Sequence, residues 1–171
     1  FNTNEFNIFN NNIFVMCGDG CLMEGITNEA ASFAGHMKLN NLSVLYDDNM
    51  ISIDGSTDLA FTENTTKKYQ ALGWNVITVL DGNNDFESIN NAIDNATKSD
   101  KPTLICVKTF IGYGSDKENS EKSHGAPLGK ESIENLKKKF NFNENETFHI
   151  PDKVTEYFKQ ITNNKISNYH I

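Results

Sequence analysis

Arginine is absent: all 15 basic residues of the 171 are lysines, set against 23 carboxylates for a formal net charge of −8. A chain this acidic, without the bidentate guanidinium fork, lacks the electrostatic footprint of a nucleic-acid binder, and that class is excluded. Long apolar runs are missing too. The longest, Ile13 to Cys17, is five residues, far short of the roughly 20 that span a bilayer. No basic residue precedes Lys38 to form the n-region of a signal peptide. The expectation is a soluble, unsecreted protein with no membrane partner. Cysteine is sparse, three in all, an odd number with no disulfide framework or metal spacing. With Cys17 and Cys106 inside apolar, strand-like runs, the cysteines read as buried thiols of a reducing compartment, hence a cytoplasmic setting.

What is present is unevenly placed. Hydrophobic residues make up 37% of a length that suits one domain with a real core. Asparagine occurs 25 times, a bias that loops and helix surfaces tolerate. Residues 1–60 hold eight acids (Glu5, Asp19, Glu24, Glu29, Asp47, Asp48, Asp54 and Asp58) against Lys38 alone, so seven of the eight net negative charges lie there. An anionic ligand in this region needs a cation between it and the protein.

Residues 1–12 carry no sustained period and read as an irregular lead-in. Ile13 to Cys17 then predicts a strand covered on both faces. Ile26, Ala30, Phe33 and Met37 fall at three- and four-residue steps, predicting a helix over 24–37 with that face buried. Leu42 to Tyr46 is a second strand, followed by a polar loop through Gly55. A helix over 63–72 turns Tyr69 and Leu72 inward and stops at Gly73. Trp74 to Leu80 is a third strand. Asn84 as N-cap, with Glu87 three residues on, opens a helix whose Phe86, Ile89, Ile93 and Ala96 share a face. Thr103 to Thr109 is a fourth strand, and a glycine-rich loop runs from 111 to 129. Ile133, Leu136 and Phe140 mark a further helix that ends in three lysines, favoured by the helix dipole. Pro151, as a first helical residue, opens a last one with Val154, Phe158 and Ile161 inward. Strands alternating with helices at this spacing predict an α/β fold with a parallel sheet and helices on both faces. No linker divides the chain.

Ligands of such sheets bind at the carboxyl ends of the strands. The loops at 18–25, 47–55 and 110–129 all follow predicted strands and hold eight of the eleven glycines. Gly18-Asp19-Gly20 lies where a buried strand meets a helix start, a place that admits close backbone approach and favours a phosphate. Asp19 would repel a bare phosphate, and a divalent cation resolves the conflict, since Mg²⁺ or Ca²⁺ takes hard oxygen ligands from both. Alone, Gly-Asp-Gly is more often a plain turn. Thirty residues on, Asp47-Asp48-Asn49 ends the next strand and offers a further carboxylate and a neutral amide oxygen. Two such loops at successive strand ends make the specific feature.

This pairing resembles the cofactor-anchoring motif of thiamine diphosphate enzymes. The blocks GDGCLMEGITNEAASFAGHMKLNNL, YDDNMISIDG, KYQALGWNVI, DKPTLI, TFIGYGS and SHGAPLG resemble the transketolase family in order and approximate spacing, from about Val15 to Phe140. The resemblance implies part of a thiamine diphosphate-binding fold, with 1–171 lying within a single diphosphate-binding domain, a motif-bearing core at about 13–140 and a less distinctive tail at 141–171. It implies thiamine diphosphate and Mg²⁺ (or Ca²⁺) as cofactors. Asp19, Asn49 and the backbone carbonyl of Ile51 would hold the metal. Gly20, Gly18 and Asn49 would contact the diphosphate, and Ile111 would pack on the cofactor. His124 would be a catalytic residue touching both diphosphate and sugar substrate, in a position to donate to an oxyanion or move a proton near neutral pH. Glu24 and Glu29 would lie at the interface of a homodimer, with Glu24 also serving catalysis between the two active sites.

The implied reaction transfers a two-carbon ketol unit from a ketose phosphate of the xylulose 5-phosphate type to an aldose phosphate of the ribose 5-phosphate type, in the non-oxidative pentose phosphate pathway. The family's enzymes are several times longer than this chain. The pyrimidine-binding domain and the arginines that grip the sugar phosphate are therefore expected elsewhere, and the 171 residues alone are expected to be inactive. Segment 116–122 departs from the family text. Two readings compete: another enzyme of the superfamily such as dihydroxyacetone synthase, and a non-catalytic folding or dimerisation module. A phosphatase using Asp19 as nucleophile lacks a partnered acid.

Overall fold

In the computed structural model, which describes residues 2–168, the most deeply buried segment is the strand rich in β-branched and apolar residues near the middle of the chain. This strand, β6 (Thr103–Lys108), lies between β2 (Leu42–Asp48) and β5 (Asn75–Val79), and β1 (Ile13–Gly18) pairs with the far side of β2. All four are parallel, in the order β1-β2-β6-β5. A central parallel strand is covered on both faces, which is why Leu104 to Val107 is continuously apolar. Its side chains alternate. Leu104 and Cys106 pack with Tyr46, Leu22, Ala31, Ala34, Tyr69 and Trp74, while Ile105 and Val107 pack with Val79, Ala92 and Ala96.

The two clusters define the layers. Helices α1 (Asp19–Met23), α2 (Gly25–Met37) and α3 (Thr65–Ala71) supply the first, and α4 (Phe86–Ala96) supplies the second. Right-handed crossovers explain the division: β1 to β2 and β2 to β5 step one way across the sheet and β5 to β6 steps back, so α4 falls on the opposite face. A small antiparallel hairpin, β3 (Ile51–Ser52) with β4 (Gly55–Ser56), occupies part of the expected polar loop. Helices α5 (Lys130–Lys139) and α6 (Asp152–Asn168) follow, and α5 ends in the three lysines as expected. The α/β parallel sheet with helices on both faces is thus observed.

Four local expectations are corrected. β1 is not covered on both faces: it is the edge strand, and Ile13, Phe14, Val15 and Met16 are exposed, Met16 by 83%. Among the described residues nothing pairs with its outer edge. In α2 the predicted face is the wrong one, since Ile26 and Phe33 are 73% and 62% exposed, Met37 and Ala30 are exposed too, and Ala31, Ala34 and Gly35 point inward. Close approach decides this. A Cβ on Gly35 would lie 1.9 Å from the Leu72 carbonyl oxygen, and Trp74 Nε1 donates to the Ala31 carbonyl at 2.8 Å.

At α4 the N-cap is Asp85 rather than Asn84: its carboxylate accepts from Ser88 N at 2.9 Å, while Asn84 donates to Asp81. Phe86 is exposed, and the buried stripe is Ala92 and Ala96. Asp85→Ala is accordingly expected to cost about 1 kcal/mol in chemical denaturation, whereas Asn84→Ala leaves this cap intact. Finally, Pro151 precedes α6 instead of opening it, its carbonyl accepting from Val154 N at 2.9 Å, and Val154 and Phe158 are exposed. The end of the tail, 169–171, lies outside the described residues.

Candidate functional site at the carboxyl ends of the strands

Strand register brings the polar loops together. Gly18, the last residue of β1, is level with Asp47, and Asp48 is level with Lys108 at the end of β6. α1 begins at once after β1, with Gly18 as N-cap and Asp19 and Gly20 in its first turn, and it lies against both β2 and β3. A Cβ at Gly18 or Gly20 would meet nothing within 4 Å. The space beside this helix start is open to a ligand, and the first-turn amides have no intrahelical partner.

Asp19 is 3% exposed. Its Oδ1 accepts from the Tyr46 hydroxyl at 2.5 Å, while Oδ2 is buried with no hydrogen-bond partner among the described residues. Burial raises the carboxyl pKa above its ordinary value and Asp48 and Asp47 add to the rise, while the Tyr46 hydroxyl, and the Met50 backbone amide nearby but outside hydrogen-bond geometry, oppose it. Burial likewise pushes the Tyr46 phenol up, and the Asp19 hydrogen bond adds to it.

The neighbouring carboxylates are already engaged. Asp47 accepts from the Thr109 hydroxyl on Oδ1 and from Asn49 Nδ2 on Oδ2 at 3.1 Å. Asp48 is ion-paired with Lys108 at 2.6 Å. Asn49 Oδ1 accepts from Ile51 N at 3.0 Å, across a turn in which Met50 takes the left-handed region at φ 61°. A non-glycine residue there stores roughly 1–2 kcal/mol. The Met50 carbonyl accepts from Thr57 N at 3.0 Å, which ties the β3–β4 hairpin back onto this turn.

Among the described residues Asp19 Oδ2 is the buried side-chain oxygen left without a partner, and leaving such a group buried costs about 1–3 kcal/mol or more. A hard divalent cation would satisfy it, since the oxygen donors at hand, the Asp19 carboxylate, the Asn49 amide oxygen and the Ile51 carbonyl, are of the kind that Mg²⁺ and Ca²⁺ take. Among the described residues there is no cluster of three His, Cys, Asp or Glu side chains that would compete as a metal centre.

A cleft of about 400 Å³ opens beside Asp19, its lining including Tyr46, Asp48, Thr57, Asn64 and Lys108. Gly18, Gly20, Asn49, Ile51, Ile111 and His124 do not line this cleft. Ile111 is half-buried at the start of the loop after β6, its carbonyl accepting from Asn119 N at 2.8 Å. His124 is exposed and follows a single 3₁₀ turn, its amide donating to the Glu121 carbonyl at 2.9 Å. Its ring makes no hydrogen bond among the described residues. The departing segment 116–122 is used inside the loop: Glu118 accepts from Gly114 N at 2.5 Å, and Lys117 donates to the Leu128 carbonyl at 3.0 Å. The loop is also anchored to the turn before α4, where Asn83 and Asn84 accept from Phe110 N and the Tyr113 hydroxyl, both at 2.9 Å.

Glu24 and Glu29 are exposed, Glu24 at the junction of α1 and α2 and Glu29 on α2 near Phe33 and His36. Of the thiols, burial pushes Cys17 and Cys106 up to about 12, but the expectation of buried cysteines holds fully for Cys106 alone, Cys17 being half-buried and Cys21 exposed. Tyr46, Lys108 and Thr109 escaped the sequence reading. A tyrosine near the end of an otherwise buried strand signals a needed hydrogen-bond partner, and that was the sign available for Tyr46.

Fold and site define a doubly covered parallel α/β domain whose polar ligand cleft and phosphate-compatible helix start lie at the carboxyl ends of the strands. Comparison with known proteins narrows this. The family model described as transketolase, thiamine diphosphate binding domain, matches residues 1–170. Transketolase 1 of Candida albicans is 47% identical over 167 residues, 96% of this chain and 25% of the relative. A Nostoc transketolase is 47% identical over 162 residues, 94% of this chain and 24% of the relative. The solved transketolase of Leishmania mexicana superposes with a TM-score of 0.90 at 46% identity, covering 94% of this chain and 24% of that one. Transketolase of Pichia stipitis, solved with sedoheptulose-7-phosphate, gives 0.92 at 44% identity, covering 99% and 25%. The chain belongs to the transketolase family and matches its thiamine diphosphate-binding domain as a fragment. It spans about a quarter of the length of the relatives it matches.

Proposed function

We propose that this chain supplies the metal- and diphosphate-holding half of a cytoplasmic, homodimeric enzyme that transfers a two-carbon ketol unit between sugar phosphates in the non-oxidative pentose phosphate pathway. The observation that carries the reading is the buried, unpartnered Oδ2 of Asp19 beside an open helix start. In this reading Asp19 Oδ2, Asn49 Oδ1 and the Ile51 carbonyl would hold Mg²⁺ or Ca²⁺, the Asn49 oxygen having a second lone pair beside the one that accepts from Ile51 N. The amides of Gly18 and Gly20 and the metal together offset the negative charge of a diphosphate, which the acidic loops alone would repel. When bound, thiamine diphosphate supplies the electron sink for breaking and making a carbon–carbon bond.

The remaining residues orient, exclude water or move protons. Ile111 provides an apolar wall at the loop start. His124, exposed and with no ring hydrogen bond among the described residues, is available to donate to a substrate oxygen or accept its proton. Glu24 and Glu29 lie on the exposed side of the α1–α2 junction, beside the apolar residues Ile26 and Phe33, and such a surface suits a second copy. Sugar phosphates are the proposed substrates because the matching Pichia stipitis transketolase is described in complex with sedoheptulose-7-phosphate, and a mutant of it with xylulose-5-phosphate. Their phosphate grip is assigned to residues outside this chain, which has no arginine.

The test is turnover. The full-length polypeptide carrying residues 1–171, given a xylulose 5-phosphate type donor, a ribose 5-phosphate type acceptor, Mg²⁺ and thiamine diphosphate, is expected to transfer the two-carbon unit, and the 171 residues alone are expected not to. Robust turnover by the 171 residues alone would contradict the division of labour. No transfer by the full-length polypeptide would contradict the reaction.

A further inference from the structure

The end of β2 does more than lead into a ligand loop. Tyr46 is 3% exposed and follows the sheet face that carries α1, so its side chain points across to the first turn of that helix. Its hydroxyl has one hydrogen-bond acceptor, Asp19 Oδ1 at 2.5 Å, and both residues line the same cleft. The ring itself is held by the core cluster, packed with Leu22, Leu104 and Cys106. A phenol held by this packing and bonded to one carboxylate oxygen leaves the other, Oδ2, buried and without a hydrogen-bond partner among the described residues. The other two aspartates are spoken for by Thr109, Asn49 and Lys108.

We infer that Tyr46 is a positioning residue for the divalent cation: by occupying Oδ1 it fixes the carboxylate plane of Asp19 and presents Oδ2 alone, one oxygen to one metal. Geometry supports the assignment: packing locks the phenol donor that holds Asp19 Oδ1, so the carboxylate loses no rotamer freedom when the cation binds. Partners that orient a metal ligand in this way typically carry 10–100-fold in metal affinity. The inference rests on Asp19 being a cation ligand, as proposed above.

The experiment measures cation binding directly, by titrating Mn²⁺ into the full-length polypeptide with thiamine diphosphate and reading free Mn²⁺ by electron paramagnetic resonance. Four proteins are compared: wild type, Tyr46→Phe, Asp19→Ala, and the core variant Ile105→Val, which packs on the opposite face of the sheet. Tyr46→Phe is expected to weaken Mn²⁺ binding 10–100-fold and to recover turnover when cation is raised to saturation, with Ile105→Val binding as wild type. Asp19→Ala losing binding while Tyr46→Phe stays within about twofold of wild type would overturn the positioning role and leave the metal site standing. Equal weakening by Ile105→Val and Tyr46→Phe would overturn it as well, by reducing the effect to general loss of packing. Unchanged binding in Asp19→Ala would overturn the metal site itself, and the role of Tyr46 with it.

Discussion

Asp19→Ala in the full-length polypeptide is expected to abolish cation-dependent binding of thiamine diphosphate, a loss larger than the 10–100-fold attached to a supporting partner, without lowering the thermal midpoint of the cation-free protein. The two signs together are what make this variant informative. In the wild type the carboxylate is buried, its Oδ2 is unpartnered, and burial and two neighbouring aspartates disfavour its charge. Removing it relieves a desolvation cost of about 1–3 kcal/mol, offset by leaving the Tyr46 hydroxyl without its acceptor. A site kept for stability behaves the other way, losing stability and function together. Differential scanning calorimetry with and without Mg²⁺, beside a calorimetric cofactor titration, separates the two. A fall in the cation-free midpoint with cofactor affinity intact would sink the assignment.

Gly35→Ala is the second large effect, and it acts on the scaffold. The new Cβ would fall 1.9 Å from the Leu72 carbonyl oxygen and 3.0 Å from its carbon, both backbone atoms at the end of α3. Backbone cannot swing aside as a side-chain tip can, so α2 must lift away from the α3–β5 turn. Lifting it pulls the Ala31 carbonyl from Trp74 Nε1 and opens the cluster around Tyr69 and Trp74, whose rings meet edge to face at 5.0 Å. Overpacking of this kind costs roughly 1–3 kcal/mol and occasionally more, and the backbone clash argues for the upper end. The chemical-denaturation midpoint of Gly35→Ala is expected to drop far more than that of Ala30→Ser, an exposed change on the same helix. A loss under about 0.5 kcal/mol would mean that α2 does not sit this close to the turn.

Gly35 also shows where the sequence was legible and where it was not. Hydrophobic periodicity found α2 as a helix but chose its face by apolar mass, and so selected Ile26, Phe33 and Met37 over Ala31, Ala34 and Gly35. Small residues carry no weight in such a pattern, yet they are what a close helix–sheet approach requires. The same blindness applies to β1. Its apolar run signals burial, but nothing in the run says what covers it, and among the described residues nothing pairs with its outer edge. By contrast β6 was read correctly because a central parallel strand is buried by its own neighbours.

In the site, Asp19 stood out because glycines flank it at a strand end, and Asn49 because it follows the end of the next strand thirty residues on. Tyr46, Lys108 and Thr109 did not, because their importance comes from register. Tyr46 pairs with Cys17, one step from the strand end, and Lys108 pairs with Asp48. Those neighbours are close in space and far apart in sequence. The misplaced cap at α4 is a smaller case of the same kind: Asn84 and Asp85 are equally good N-caps by type, and Asn84 is drawn away by Asp81 and Tyr113.

The most direct measurement is the anomalous scattering of Mn²⁺ in crystals of the full-length polypeptide grown with thiamine diphosphate. One peak is expected, within bonding distance of Asp19 Oδ2, Asn49 Oδ1 and the Ile51 carbonyl oxygen, with the Tyr46 hydroxyl still on Asp19 Oδ1. A bound diphosphate with no metal at Asp19, or a metal held by Asp47 and Asp48 instead, would contradict the account.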